Sequence, residues 1–314
     1  MSPDIAASIK ARLLAKAKAR QEEFELFLVR YACERFLYRL GASELRTAHV
    51  LKGAGLLTTW MDDPYRATRD LDFLAYGASD AASVRGVMDT ICSVLCPEDG
   101  LHFDLESLVI TPIRAEQEHS GQRAVVQAYL GKARIRLQVD FGFGDAITPG
   151  PEEIEYPTLL DGLPAPRLRS YPRVVTVAEK FEAMIQLGRR NSRMKDFHDV
   201  WALSEKFSFE GANLREAVAK CFERRRRTWT SEVPDAFRPG FYSDSNLQER
   251  WKSYLRAGGF QKPPPGDFQE IGEKVQGFLR PVRDSIVEET GFEMFWPAGG
   301  PWQAREYAGE EGDV

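Results

Sequence analysis

The sequence predicts a mixed α/β chain of the α+β kind: a mixed sheet with flanking helices, then a helical C-terminal lobe. Two patterns and one break predict it. Apolar and polar residues alternate with a period of two in short runs between residues 47 and 141, as half-buried strands do. Apolar residues recur at helical spacing before and after that region. Six prolines between residues 149 and 173 interrupt both patterns. The expected divisions are 1–150 for the N-terminal helices and sheet lobe, 151–173 for an extended connector, 174–290 for the helical lobe, and 291–314 for a tail with a disordered acidic end.

Composition narrows the function classes. The 314 residues are 43% hydrophobic and 28% charged, with a net charge of −5. That is an ordinary globular balance, so any nucleic-acid contact must come from local basic patches. Cys33, Cys92, Cys96 and Cys221 show no Cys-x-x-Cys spacing, so free thiols are expected and a zinc site is not. No apolar run approaches the ~20 residues of a membrane helix, and no signal peptide is evident. A cytoplasmic protein without a membrane partner is the expectation.

Residues 4–40 read as one helix, with Phe24, Phe27, Leu28, Tyr31, Phe36 and Leu37 at helical spacing and Gly41 as its stop. Lys10, Arg12, Lys16, Lys18 and Arg20 crowd its first part, either as a solvated face or against RNA. Residues 47–51 form a short strand that delivers Lys52 to the small-residue turn Gly53-Ala54-Gly55, and a helix follows from Leu56. Small residues let a backbone approach a ligand, and a helix start aims free N–H groups at an anion.

The next strand, Asp70-Leu-Asp-Phe73, carries two carboxylates at i, i+2. Side chains alternate faces along a strand, so Leu71 and Phe73 enter a core while Asp70 and Asp72 emerge together. Two like charges held that close call for a cation, and an oxygen-only pair suits Mg²⁺. The alternative is a pair of solvated loop residues. Ser79 is expected to cap a helix running to Leu95. Strands follow at 101–113, 124–130 and 133–141, the last two joined by a Gly131-Lys132 hairpin turn. In the last of them Asp140 falls on the polar face, as a third metal ligand or a proton acceptor, or simply as an edge residue.

Past the prolines, Thr176-Val-Ala-Glu179 has the pattern of a capping box opening a helix to about Arg190. A second helix begins near Lys195. The basic junction between them, Arg189-Arg-Asn-Ser-Arg193, can hold phosphates or form ordinary salt bridges. Asp196 is expected to pair with Lys180 or Lys195. Residues 214–229 read as helix and carry Arg224-Arg-Arg-Arg227, solvated or against a phosphate backbone. Helices at 247–255 and 268–289, the latter interrupted at Pro281, complete the lobe.

Taken together, Lys52-Gly, Arg66-x-Thr68-x-Asp70-Leu-Asp72-Phe, Val-Asp140, Glu179-Lys180-Phe and Asn191-Ser-Arg193-Met-Lys195-Asp196-Phe-x-Asp199 resemble the AbiEii/AbiGii-type nucleotidyltransferases. These are toxins of abortive-infection and toxin–antitoxin systems. Lys52-Gly53-Ala54-Gly55 and Thr68 depart mildly from the family pattern. The resemblance implies a DNA-polymerase-β-like nucleotidyltransferase fold and transfer from a nucleoside triphosphate to an RNA 3′ end, with tRNA as acceptor and translation blocked as the result. It implies that Asp70, Asp72, Lys180 and Asp196 are catalytic, with Asp70 and Asp72 as ligands of Mg²⁺. Asp140 joins them as metal ligand on the general plan of the fold. Lys52, Gly53, Thr68, Arg193 and Lys195 are the expected nucleotide-binding residues. A cognate antitoxin without stable contact, and a monomeric state, complete the expectation. Nucleotide transfer to a protein hydroxyl, and a non-catalytic nucleotide- or RNA-binding module, remain open alternatives.

Overall fold

The computed structural model describes residues 4–61, 69–113, 121–144, 147–258, 260 and 263–305. The chain forms two compact units. The first comprises residues 1–146 and 151–171, and the second comprises 147–150 and 172–314.

The first unit opens with two helices, α1 (Ile5–Arg20) and α2 (Phe24–Ala42), where one had been expected. Gln21 takes a left-handed conformation (φ 55) and caps α1, and the polar run Arg20-Gln-Glu-Glu23 offers no apolar anchor to carry the helix on. Gly41 is no stop, because α2 runs through it. A Cβ there would come within 2.5 Å of the Arg167 carbonyl oxygen, so glycine is required for close packing.

A seven-stranded mixed sheet follows, in the order β3-β4-β5-β2-β1-β7-β6. Its strands are β1 (His49–Lys52), β2 (Asp70–Ala75), β3 (Leu101–Ile113), β4 (Gly121–Leu130), β5 (Ala133–Phe143), β6 (Glu152–Glu155) and β7 (Arg167–Ser170). A short helix, α3 (Ala54–Trp60), follows β1, and α4 (Ala81–Cys92) follows β2. Asp80, not Ser79, caps α4, accepting from the Ser83 N–H at 2.9 Å. The longer carboxylate arm, one residue nearer the helix, takes the cap.

The apolar face of the sheet buries Leu51, Leu71, Phe73, Leu137, Val139 and Phe141, with Phe73 stacked on Phe141 at 5.9 Å. Residues 151–171 are more than a connector, since they supply β6 and β7, and β7 pairs in parallel with β1. A buried ionic group fastens this segment to α2. Glu34 accepts the Leu159 N–H at 2.6 Å, and Arg35 donates to the Pro164 carbonyl at 3.0 Å. Arg39 grips both oxygens of Asp99, at 2.6 and 3.2 Å, and Arg35 reaches the same carboxylate at 3.4 Å.

The second unit is mainly helical: α5 (Arg173–Leu187), α6 (Met194–Lys206), α7 (Gly211–Arg224), α8 (Ser245–Ala257) and α9 (Phe268–Val287). Helix α5 starts directly after Pro172, so Thr176 lies a turn inside it, buried, and forms no capping box. Helix α9 continues through Pro281, where buried Leu279 and Val282 hold it by packing. The tail is not wholly irregular. β9 (Met294–Trp296) joins β8 (Phe209–Glu210) and β10 (Gln303–Ala304) in a small sheet, and Trp296 is buried. The acidic end expected to be disordered lies outside the described residues. Among the described residues no helix is long and apolar enough to cross a membrane.

Two stability predictions follow from this packing. Asp99→Ala leaves the buried Arg39 without its carboxylate and takes one of two carboxylates from the buried Arg35, and is expected to cost about 3–5 kcal/mol, read from urea unfolding. Gly41→Ala forces α2 away from the Arg167 carbonyl and is expected to cost about 1–3 kcal/mol in the same assay; an unchanged midpoint would contradict the close contact.

Candidate active site

Strand pairing places charged residues in one row across the first unit. In the antiparallel β1–β2 pair Lys52 stands opposite Asp72. In the parallel β2–β5 pair Asp72 neighbours Asp140, and in the β5–β4 hairpin Asp140 faces Arg123. Residues in register on neighbouring strands share a face, so Lys52, Asp72, Asp140 and Arg123 run side by side, about 5 Å apart from strand to strand. Asp70, two residues before Asp72, emerges on the same face beside Gln138. Both aspartates are half-buried while Leu71 and Phe73 are buried, which is the alternation expected from the sequence.

The backbone at Gly53 closes in on this row. Its φ of 70° and ψ of −156° lie in a region open essentially to glycine alone, and an added Cβ would overlap the Asp72 carboxylate. Gly53 therefore brings the β1–α3 turn directly against Asp72. Lys52 Nζ lies 5.7 Å from the centre of the Tyr171 ring.

Arg123 went unassigned in the sequence, and it organises Asp140. Its Nε and one terminal nitrogen donate to the two carboxylate oxygens at 2.8 and 2.7 Å. These hydrogen bonds raise the Arg123 pKa, against some desolvation, and the charges of Asp140, Asp70 and Asp72 raise it further. The pair could have been found by counting. Gly131-Lys132 fixes Leu130 opposite Ala133, and seven steps back along each strand set Arg123 opposite Asp140.

Asp140, expected as a third metal ligand, is turned to this guanidinium. Among the described residues no three His, Cys, Asp or Glu side chains gather into a group that could hold a metal ion. Asp70 and Asp72 remain as an oxygen-only pair on one face. That donor set fits a Mg²⁺ ion, which is usually held by one or two carboxylates and completed by water and substrate phosphates. Thr68 and Arg66 lie outside the described residues.

The second unit holds its own charged group. Lys180 on α5 is 9% exposed, and its ammonium donates to Asp196 at 3.0 Å and Asp199 at 2.7 Å, both acids fully buried on α6. The half-exposed Arg193 donates from Nε to the other oxygen of Asp196 at 2.6 Å. Burial pushes the Asp196 pKa up, but Lys180 and Arg193 outweigh it and hold the carboxyl below its ordinary value. Buried Asn191 accepts the Arg193 N–H at 2.7 Å. The structure thus brings Lys180, Asp196 and Arg193 together, adds Asp199, and leaves Lys195 exposed on α6. Asp199, three residues after Asp196 on one helix, was within reach of an i, i+3 reading.

The arginine run is structural. Arg224 pairs with Glu179 at 2.8 Å, while Arg225 and Arg227 both pair with the fully buried Glu182. All four cysteines are free, and burial first among the causes pushes the thiols up to about 12.

An acidic pair on a sheet face, a lysine one strand away and a glycine turn pressed against Asp72 make up the candidate site of the first unit. The family described as nucleotidyl transferase AbiEii toxin, type IV toxin–antitoxin system, matches residues 35–278. The chain belongs to this toxin family, as the resemblance in its sequence indicated. Among solved structures it is similar to a candidate nucleotidyltransferase from H. pylori, with 14% identity over 81% of this chain and 92% of that one and a TM-score of 0.45. It is similar also to JHP933 from Helicobacter pylori, at 13% identity over 81% and 90% of the two chains and a TM-score of 0.45. No curated protein matches the chain.

The buried group makes a pH prediction. Because folding depresses the Asp196 pKa below its ordinary 3.8, its stabilising contribution is present above about pH 4 and fades as pH falls through the depressed value. In urea unfolding, the stability gap between the parent protein and Asp196→Asn is expected to be wide at pH 6 and to narrow below pH 4. A gap independent of pH would refute it.

Proposed function

We propose that this nucleotidyltransferase toxin moves a nucleotidyl group from a nucleoside triphosphate to the 3′-hydroxyl of an RNA, with the tRNA acceptor end as substrate, in a Mg²⁺-dependent reaction. The supporting observation is the row Lys52–Asp72–Asp140–Arg123 with Asp70 beside it on one sheet face. Cations at both ends and carboxylates in the middle suit a polyanionic substrate that brings a metal with it.

In this reading the RNA hydroxyl oxygen bonds to the α-phosphorus as the bond to the β-phosphoryl oxygen breaks, and pyrophosphate leaves. Such a reaction asks little covalent work of the protein, so positioning and charge compensation carry the catalysis. Asp70 and Asp72 hold the metal, which when bound supplies positive charge to the phosphate oxygens. Lys52 and the Gly53 turn receive the phosphates. Asp140, oriented by Arg123, keeps a free lone pair on each oxygen and accepts the hydroxyl proton. In the helical unit, Arg193 and Lys195 are assigned to phosphate, and Lys180 with Asp196 and Asp199 holds Arg193 in place.

That last assignment changes what a variant can report. Lys180→Ala removes the buried cation between Asp196 and Asp199 and leaves Arg193 as the cation on Asp196, so lost activity there would be mixed with lost stability. Asp72 is half-buried, and Asp72→Asn keeps its shape. Purified protein incubated with Mg²⁺, each labelled triphosphate in turn and total tRNA is expected to label RNA. Asp72→Asn or chelation with EDTA is expected to reduce labelling at least ~10³-fold with an unchanged melting temperature. Label found on protein would favour a protein hydroxyl as acceptor. Triphosphate bound without turnover would favour a non-catalytic module.

A further inference from the structure

The polar face of the sheet continues past the acidic pair, along β5 and β4, and no part of the proposed chemistry uses it. Counting back from Asp140 by twos gives Gln138, Arg136 and Arg134, all on that face. Their register partners on β4 are Val125, Gln127 and Tyr129. Arg134 and Arg136 are exposed, and on the edge strand β3 Val109 is 56% exposed. The opposite face of the same strands is core, with Ala124, Val126, Ala128, Leu130, Ile135 and Leu137 buried. One side of this sheet therefore packs, and the other stands open.

The open side is basic at its far end. Arg134 and Arg136 supply that charge, and at the margin of β5, short of where β2 begins to pair with it, they and Arg69 line a hollow of about 180 Å³ completed by Ile135 of the buried face and by Glu25, Leu26, Leu28 and Val29 of α2. Glu25 is the one acid lining it, and Asp104 lies opposite Gln127 on β3. Arg134 donates to the Gln127 side-chain oxygen at 3.1 Å, and Arg136 lies 3.4 Å from the Gln138 amide. Among the described residues neither guanidinium meets a carboxylate. Other exposed arginines among the described residues do, Arg123, Arg189, Arg193 and Arg238 among them. Unneutralised guanidinium groups around a hollow fit phosphate, and a half-exposed tyrosine beside them offers a face for a base to stack on.

We infer that the open face of β4 and β5 is the track for the single-stranded end of the RNA acceptor. Its phosphates are taken by Arg134 and Arg136 on the face and by Arg69 at the margin of β5, a base stacks on Tyr129, and the strand runs toward Asp70 and Asp72. The inference rests on the proposed RNA acceptor and names the surface that holds it. The scale agrees: four residues separate Arg136 from Asp140 along β5, about 13 Å at strand rise, so a bound strand covers only a few nucleotides before its 3′ end reaches the acids. Charge selects RNA over a protein acceptor here, because three clustered guanidinium groups complement a phosphate chain and not an average polypeptide.

The test is binding of a fluorescein-labelled single-stranded RNA of ~12 nucleotides, followed by anisotropy across a salt series. It is run on the full chain carrying Asp72→Asn, so that nothing is consumed. Arg134→Gln with Arg136→Gln is expected to weaken binding roughly tenfold and to flatten the slope of log K against log salt by about 1.4, the release expected for two single-strand phosphates. Tyr129→Ala is expected to weaken binding about fivefold or more, and Tyr129→Phe to restore it. In the active protein the double arginine variant is expected to raise the KM for RNA and leave the KM for triphosphate unchanged, at an unchanged melting temperature. RNA binding with a parental salt slope in the double variant, or no RNA binding by the parent, overturns the inference. Arginine-dependent binding without nucleotide transfer by the parent would instead sink the transferase reading and leave the surface standing.

Discussion

The register of β2 between β1 and β5 is the constraint on which the first unit depends. A strand's side chains change face at every residue, so a slip of one position would turn Asp70 and Asp72 into the core and put Leu71 and Phe73 in water. Each apolar side chain exposed in that way loses about 1.5–3 kcal/mol, and each carboxylate buried without a partner costs several more. Those losses are a large fraction of the net stability of a typical domain. The same register that folds the sheet thus also aligns Lys52, Asp72, Asp140 and Arg123. Core and site are specified together, because one alternation serves both.

The second unit handles charge differently. Here the acids are inside, and the cost of removing them from water is met by cations on the same scale: Lys180 between Asp196 and Asp199, Arg193 on Asp196, Arg225 and Arg227 on Glu182. Pairs of this kind contribute little net stability compared with an apolar core, but they hold each partner to one geometry. Arg193 is fixed from both ends, by Asp196 at its guanidinium and by Asn191 at its backbone. An exposed cation so held loses less freedom on meeting a phosphate than a lysine on a loose stem.

Much of this was legible because the period-two pattern is strong. The strand at Asp70–Ala75, the 101–113 strand and the Gly131-Lys132 hairpin could all be read from the residues alone. The Arg123–Asp140 pair was available by counting from that hairpin. The Asp72–Asp140 neighbourhood was not, since parallel pairing between strands far apart in the chain leaves no local mark. The proline-rich segment misled for a related reason. Prolines argue against strands in a sheet interior, but β6 is an edge strand and β7 falls between Pro166 and Pro172, inside neither. Thr176 misled because a capping pattern is also what a buried helix turn can look like once Pro172 has set the helix start earlier. The arginine run looked like a surface feature until buried Glu182 explained its end. Gly41 read as a stop because only the tertiary neighbour, Arg167, shows why glycine is there.

The position of β7 has a consequence in time. Lys52 and Asp72 are made early in translation, yet the strand that flanks β1 on its other side emerges only when residues 167–170 leave the ribosome. Until then the nascent sheet has a raw margin at the strand bearing Lys52, and such long-range pairings form slowly. A toxin built this way cannot close the sheet beneath its acidic residues until just over half of its 314 residues have been made, when the first unit is nearly complete.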